Sequence, residues 1–247
     1  MPEEPLHRQI ADDLRQRILG GELQAGDPVP SENALMAEYG VAQGTARKAL
    51  GALVAEGLTE ARRGSGTRVR GFRPILRRGS RRLDRSVWGE GRSVWEVDLD
   101  GRPLEVDRLT VQEQPCPERL AGALGIAIGD PVWVRDRRYL VEGEPVMLAA
   151  SYHPASIVAG SAITREDTGP GGAPARLAEL GFAAVHYREQ ARTRMPLPGE
   201  AAALELGAGT PVMLVVRYGW AEGGVPVEVT EMTADGSRYL MEWEFPA

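Results

Sequence analysis

Apolar residues recur every three to four positions in the first quarter of the chain and closer to every second position beyond it. In residues 5–20 (PLHRQIADDLRQRILG), Leu6, Ile10, Leu14, Ile18 and Leu19 fall at helical spacing, with Pro5 at the start and Gly20-Gly21 as the stop. GELQAGDPVP reads as a turn. Ser31 is a good N-cap for a second helix whose apolar positions are Leu35, Met36 and Tyr39, and Gly40 closes it. A third helix follows within a few residues, with Ala46, Leu50, Leu53 and Val54 on one face and Gly57 at its end. LTEARRGSGTRVR then predicts two short strands around Gly64-Ser65-Gly66.

From Phe72 to Arg85 the chain is rich in arginine and poor in apolar residues, and reads as a linker. Beyond it, residues 130–141, 144–152, 185–195, 210–220, 225–233 and 237–245 alternate or run apolar with β-branched and aromatic residues, the pattern of strands. Helical patterns interrupt them at 118–125, 175–182 and 199–207, and Glu142-Gly143-Glu144 and Glu222-Gly223-Gly224 suit hairpin turns. A weak internal echo links Asp130-Pro131-Val132 to Thr210-Pro211-Val212. The expected fold class is α+β, with a helical domain over residues 1–71, a linker over 72–85 and an antiparallel-sheet domain over 86–247.

Two short helices joined by a tight Gly-containing turn, with a hairpin behind them, have the spacing of a winged helix-turn-helix. Arg47 and Lys48 lie in the first turns of the second of those helices, where a recognition helix meets base edges and phosphates. Charge supports DNA as a partner. Residues 1–82 hold 14 Lys and Arg against 10 Asp and Glu, although the whole chain carries −6, so the remainder is strongly acidic. Lys48 is the sole lysine, a bias that lowers the weight of any one arginine; the cluster from Arg62 to Arg82, free of acids, still stands out. An αα-hairpin used only for packing is the plainer reading, and the adjacent wing with Arg62, Arg63, Arg68 and Arg70 argues against it.

Other classes are poorly served. No apolar run reaches membrane-spanning length, the first residues lack the apolar core of a signal peptide, and Cys116 is the single cysteine, so a cytoplasmic protein is expected. His7, His153 and His186 are scattered without metal-ligand spacing, and neither a G-x-S-x-G elbow nor a phosphate-cradling P-loop is present. No metal, cofactor or catalytic residue is therefore assigned.

PLHRQIADDLRQRILGGELQAGDPVPSE, the helix with Thr45-Ala46-Arg47 and the wing GSGTRV resemble the winged-helix domain of GntR-family bacterial regulators, and GTPVMLVVRYGWAEGGVPVEVTEMTADGSRYLMEWEF resembles the UTRA effector domain of the HutC subfamily. The resemblance spans nearly the whole chain. It implies a dimeric, ligand-responsive transcription factor, usually a repressor, that binds a palindromic operator, with a chorismate-lyase-like UTRA fold. On this resemblance Pro30, Ser31, Glu32, Gln43, Gly44, Thr45, Arg47, Lys48, Arg62, Arg63, Gly64, Ser65 and Gly66 form the DNA-binding set. Asn33 and Ala42-Gln43 depart from the arginines usual in the family, and a glutamine at a base edge pairs with adenine where arginine prefers guanine.

The expected effector set is Trp88, Trp95, Arg137, Tyr139, Ser151, Tyr152, Arg176, Glu228 and Tyr239; Glu228 and Tyr239 match the family pattern, while Trp88, Trp95 and Tyr152 are read as stacking surface, with core packing as the plainer alternative. The family's Arg-x-Arg strand pattern falls on Arg137-Arg138-Tyr139, which keeps one arginine and suggests a ligand less charged than a phosphate. A glutamate and a tyrosine of the family fall on Ala149 and Pro174. The stretch Thr168-Gly169-Pro170-Gly171-Gly172 reads as a flexible loop or an anion-cradling nest. Two alternatives stay open: a ligand-independent DNA-binding or plasmid-maintenance regulator, and a chorismate-lyase-like enzyme in which Arg137 binds substrate and Glu228 moves a proton.

Overall fold

The computed structural model describes residues 4–62, 66–72, 74–79, 83 and 94–244. The chain divides into two compact units, Met1–Arg73 with Leu206–Thr210, and Pro74–Glu205 with Pro211–Ala247.

In the first unit α1 (Leu6–Leu19), α2 (Glu32–Tyr39) and α3 (Gln43–Ala55) precede the strands β1 (Thr59–Arg62) and β2 (Gly66–Val69). Ser31 caps α2 by accepting a hydrogen bond from the Ala34 amide at 3.2 Å. Gly40 ends it in the left-handed region at φ 64°, which leaves Val41 and Ala42 as the whole of the turn into α3. Ile10, Leu14, Leu35, Ala46, Leu53 and Val69 share one core. Full burial contributes about 1.5–3 kcal/mol for each large aliphatic side chain there. The two ends of the α1 stripe do not join that core. Leu6 and Leu19, the first and last residues of α1, are exposed. β1 and β2 form the antiparallel wing, Thr59 opposite Val69 and Arg62 opposite Gly66. Val29 extends it from the other side, donating to the Thr67 carbonyl at 2.9 Å.

The second unit is built on a six-stranded antiparallel sheet ordered β4-β5-β6-β9-β8-β7. Its strands are β4 (Leu104–Pro115), β5 (Pro131–Val141), β6 (Glu144–Pro154), β7 (Ala184–Arg194), β8 (Val212–Ala221) and β9 (Pro226–Asp235). β4 was not expected from the pattern. It is an edge strand exposed along most of its length, and its acids and arginines mask the alternation.

Two further strands lie outside that sheet. Ile75–Arg78 (β3), within the segment read as linker, pairs in parallel with Tyr239–Glu242 (β10). Ile75, Tyr239 and Met241 pack with Trp95 on Tyr139, Met147, Val215 and Met232, so this ribbon covers one face of the sheet. The opposite face packs against α4 (Glu118–Leu124) through Leu120, Ala121, Leu124, Tyr152 and Val229. Short helices α5 (Ala155–Val158), α6 (Gly172–Glu179) and α7 (Pro198–Ala203) complete the unit. No helix among the described residues is long and apolar enough to cross a membrane.

Candidate DNA-reading surface and ligand pocket

Gln43 opens α3, and Gly44, Arg47 and Lys48 stand exposed on its first turns while Ala46 and Ala49 face inward. Period 3.6 produces this split, with small residues where α3 lies close to its neighbours and polar ones on the outer side. Thr45 is half-buried. Glu32, in the first turn of α2, organises the cluster. Its Oε1 accepts from Arg47 Nε at 2.8 Å and its Oε2 from Arg47 Nη2 at 3.1 Å. The same Oε2 accepts from Gln43 Nε2 at 2.8 Å. The Arg47 hydrogen bond, followed by that of Gln43, holds the Glu32 carboxyl below its ordinary range.

Pro30 and Ser31 lead into this cluster. Gly66, at φ 76°, takes the backbone region that disfavours a side chain, with open space around it. Arg62 ends β1, and Arg63, Gly64 and Ser65 lie outside the described residues. Two of the wing arginines have intramolecular partners: Arg68 donates to the Gly26 carbonyl at 2.8 Å and Arg70 to Thr210 Oγ1 at 2.8 Å.

In the second unit a cavity of about 260 Å³ opens on the face of the sheet under Trp95. Alternation along β5 turns Arg135, Arg137 and Tyr139 into it, and neighbouring strands add Ser151, Arg217 and Glu228. Apolar lining comes from Val94, Leu104, Val106 and Leu109, and the first turn of α6, Gly172–Pro174 with its N-cap Gly171, closes one side.

The three arginines differ in their tasks. Arg135 donates to the carbonyls of Ile163, Arg165 and Glu166 and so straps the loop ahead of the glycine-rich segment. Burial, reinforced by the like charge of Arg137, pulls its guanidinium down to about 10. Arg217 donates Nε and Nη2 to Glu228 Oε1 at 3.0 and 2.8 Å. Burial would push the Glu228 carboxyl up, but the charges of Arg217 and then His153 hold it below the usual range. Arg137 donates to Ser151 Oγ at 2.7 Å and to Tyr139 Oη at 3.1 Å. It has no carboxylate partner among the described residues.

Three buried guanidinium donors, Arg135 Nε, Arg137 Nε and Arg217 Nη1, have no hydrogen-bond partner within the described protein. Trp95 stacks on Tyr139 with ring centroids 4.9 Å apart and lies within 5.6 Å of the Arg137 guanidinium and 5.4 Å of Arg217. Buried N–H donors without acceptors beside an aromatic wall favour an anionic ligand.

The sequence expectation thus divides. Trp95, Arg137, Tyr139, Ser151 and Glu228 come together in the cavity. Tyr152 does not. Next to Ser151 on a strand, it faces the other side and accepts from Arg119 Nη2 at 3.2 Å. Arg176, one turn along α6, donates to Thr168 O at 3.2 Å and pairs with Glu179 instead of lining the cavity. Tyr239 packs in the β10 ribbon against the sheet. Trp88 lies outside the described residues.

The register also corrects the arginine reading. Arg138 faces away and pairs with Asp107, so the two arginines spaced by one residue are Arg135 and Arg137. The suggestion of a weakly charged ligand loses its basis. Arg135 and Arg217 were missed; the available signal was an arginine inside the apolar run VMLVVRYGW with a glutamate eleven residues on, across a hairpin.

Comparison with known proteins agrees with this geometry. The bacterial regulatory protein, gntR family, domain matches residues 6–69, and the UTRA domain matches residues 99–240. An HTH-type transcriptional regulator of Streptomyces coelicolor is 29% identical, covering 99% of this chain and 94% of that protein. The HTH-type transcriptional repressor PhnF of Mycolicibacterium smegmatis is 28% identical over 94% of this chain and 90% of its own. The Escherichia coli repressor MngR, of the mannosyl-D-glycerate transport and metabolism system, is 49% identical over 28% of this chain and 29% of its own. The crystal structure of a GntR-family transcriptional regulator superposes with TM-score 0.68 at 26% identity, covering 99% of this chain and 98% of its own. That of PhnF gives 0.56 at 26% identity over 96% and 99%. A helix-turn-helix with its wing, followed by an antiparallel sheet around an arginine-lined cavity, places this chain in the GntR family of bacterial transcriptional regulators with a UTRA domain.

Proposed function

We propose that the protein is a ligand-responsive repressor that binds a palindromic operator as a homodimer and changes its DNA affinity when a small organic anion enters the UTRA cavity. Residues 1–71 bind DNA, and 86–247 bind effector and form the dimer. Between them runs 72–85, whose β3 strand belongs to the second unit. The observation that carries the ligand reading is the set of buried, unpartnered donors of Arg135, Arg137 and Arg217 beside the Trp95 ring. Glu228 restricts the choice further, since a ligand that also offers a hydroxyl or ammonium donor satisfies its carboxylate. The cavity volume suits a small metabolite.

Repression is supported by the relatives PhnF and MngR, both repressors by name. A symmetric dimer on two half-sites is the ordinary use of a winged helix of this kind. Pro30, Ser31, Glu32, Gln43, Gly44, Thr45, Arg47, Lys48, Arg62, Arg63, Gly64, Ser65 and Gly66 are the DNA-binding set. No catalytic step and no cofactor are assigned, and the protein acts in the cytoplasm.

Fluorescence anisotropy on the DNA upstream of the protein's own gene, compared with scrambled DNA across a salt series, tests the first half. Preference by about 10³-fold or more supports sequence-specific regulation. A panel of carboxylates and phosphates then tests the second half. If none shifts operator affinity or protects the cavity, the ligand-responsive reading gives way to a ligand-independent regulator.

A further inference from the structure

This inference rests on the anion reading of the cavity. Arg77, on β3, is only 2% exposed. Its Nη2 donates to Glu189 Oε1 on β7, while its Nε has no hydrogen-bond partner within the described protein. Glu189 stands opposite Arg217 in the β7–β8 register. The same row continues across the sheet, with Arg217 opposite Thr230, Thr230 opposite Ser151 and Ser151 opposite Arg135. Hydrogen bonds from Thr230 and Arg137 to Ser151 Oγ, at 2.9 and 2.7 Å, close the row on the cavity side. A polar line of side chains therefore runs from the partner of the linker strand to the arginines of the cavity.

Glu189 serves two cations. Burial weighs most against the charge of Arg77, Glu189 supports it, and the like charge of Arg217 opposes it, with Asp98 and Tyr239 also facing it. Arg217 is supported by Glu228, Tyr187 and Glu189 against its own burial. Arg217 thus stands between Glu228, which it binds, and Glu189, which it shares with Arg77, and its charge opposes that of Arg77. In a buried, low-dielectric setting such repulsion is felt strongly.

The geometry points to Arg77 and Glu189 as the positioning pair that transmits occupancy of the cavity to the linker strand. An anion seated on Arg217 offsets its charge, relieves its repulsion of Arg77, and leaves β3 held more firmly on the sheet. β3 is the segment through which the chain enters the second unit from the DNA-binding one, so its order is where occupancy is read out. A ligand shifts such an equilibrium only through a difference in interaction between the two states, and this repulsion is that difference.

The test is hydrogen exchange on the full-length protein, read at the amides that tie β3 to β10 at its two ends, Ile75 to Arg238 O at 2.6 Å and Gly79, just after the strand, to Glu242 O at 3.1 Å. Without any ligand, the neutral pair Arg217→Met with Glu228→Gln removes the repulsive charge. It is expected to slow β3 exchange about fivefold, at the lower end of ordinary allosteric coupling. Amides of β6 report any general change in stability. In the background Arg77→Gln with Glu189→Gln, an uncharged amide pair, the same replacement is expected to leave β3 exchange unchanged. No slowing in the wild-type background, or equal slowing in both, overturns the proposal.

Inorganic phosphate supplies the second arm. It should protect residues 168–172 in both backgrounds but β3 only in the wild type. Phosphate that fails to protect 168–172 counts against the anion cavity itself, and the ligand-free arm still decides the coupling. A purely structural ion pair would leave β3 indifferent in both arms.

Discussion

Arg217 and Glu228 meet diagonally across the β8–β9 hairpin, Glu228 lying opposite Gly219, and are joined by bonds of 3.0 and 2.8 Å with both side chains almost wholly buried. A buried pair of this kind adds little net stability but is costly to break, because the survivor keeps its charge without a partner. Arg217→Met alone is expected to cost about 3–5 kcal/mol in chemical denaturation. Adding Glu228→Gln should recover most of that loss. A single variant as stable as the wild type would mean that water already reaches Glu228.

How far the sequence reached follows from which residues decide each feature. Helices α1 to α3 were legible because each carries its own stripe, cap or glycine stop: Ser31 before α2, Gly40 after it, Ala46 and Leu53 inward on α3. β4 was hidden because an exposed edge strand needs few apolar residues. In the cavity, Trp95, Arg137, Tyr139, Ser151 and Glu228 were named in advance, whereas Arg135 and Arg217 were not. In the run Arg135-Asp136-Arg137-Arg138 only the pairing register decides which arginines face inward, and one step of register exchanges the faces. Tyr152 failed for the same reason, as the neighbour of Ser151.

The Glu32 contact predicts a division between affinity and specificity. Glu32 fixes Arg47 and Gln43 in one arrangement on the exposed side of α3. In Glu32→Gln the arginine loses its charged anchor and a negative charge leaves the DNA-facing side. Operator affinity should fall about tenfold while affinity for scrambled DNA does not fall, which narrows the specificity ratio. Anisotropy titrations with both DNAs check this; a parallel rise on both would assign Glu32 a purely repulsive part.

Arg47→Ala is expected to weaken binding to all sequences and to reduce the slope of log affinity against log salt by about 1, as for loss of one phosphate contact. If the loss is instead confined to one base pair of the half-site, Arg47 reads a base edge. Gln43→Arg carries the complementary expectation: preference at one half-site position moves from adenine toward guanine, worth about 1–3 kcal/mol of discrimination. Selection of binding sites from a randomised pool with each variant reads out both.

His153 supplies the pH dependence. It is fully buried, its Nδ1 lies 3.0 Å from the Val227 carbonyl, and its Nε2 has no hydrogen-bond partner within the described protein. Burial, ahead of the opposing charge of Glu228, lowers its pKa from the ordinary 6.5. A histidine depressed in the folded state binds fewer protons there than in the unfolded chain, so stability is lost as pH falls below about 6.5. The depressed carboxyl of Glu228 acts in the same direction at lower pH, since its contribution disappears as pH drops through its folded value. Melting temperature should therefore decline from pH 7 to pH 5. In His153→Asn, whose amide can still donate to Val227, the protein should be less stable at pH 7 but its decline between pH 6.5 and pH 5 should be shallower. An equally steep decline in that variant would move the acid sensitivity away from His153 and onto the carboxylates.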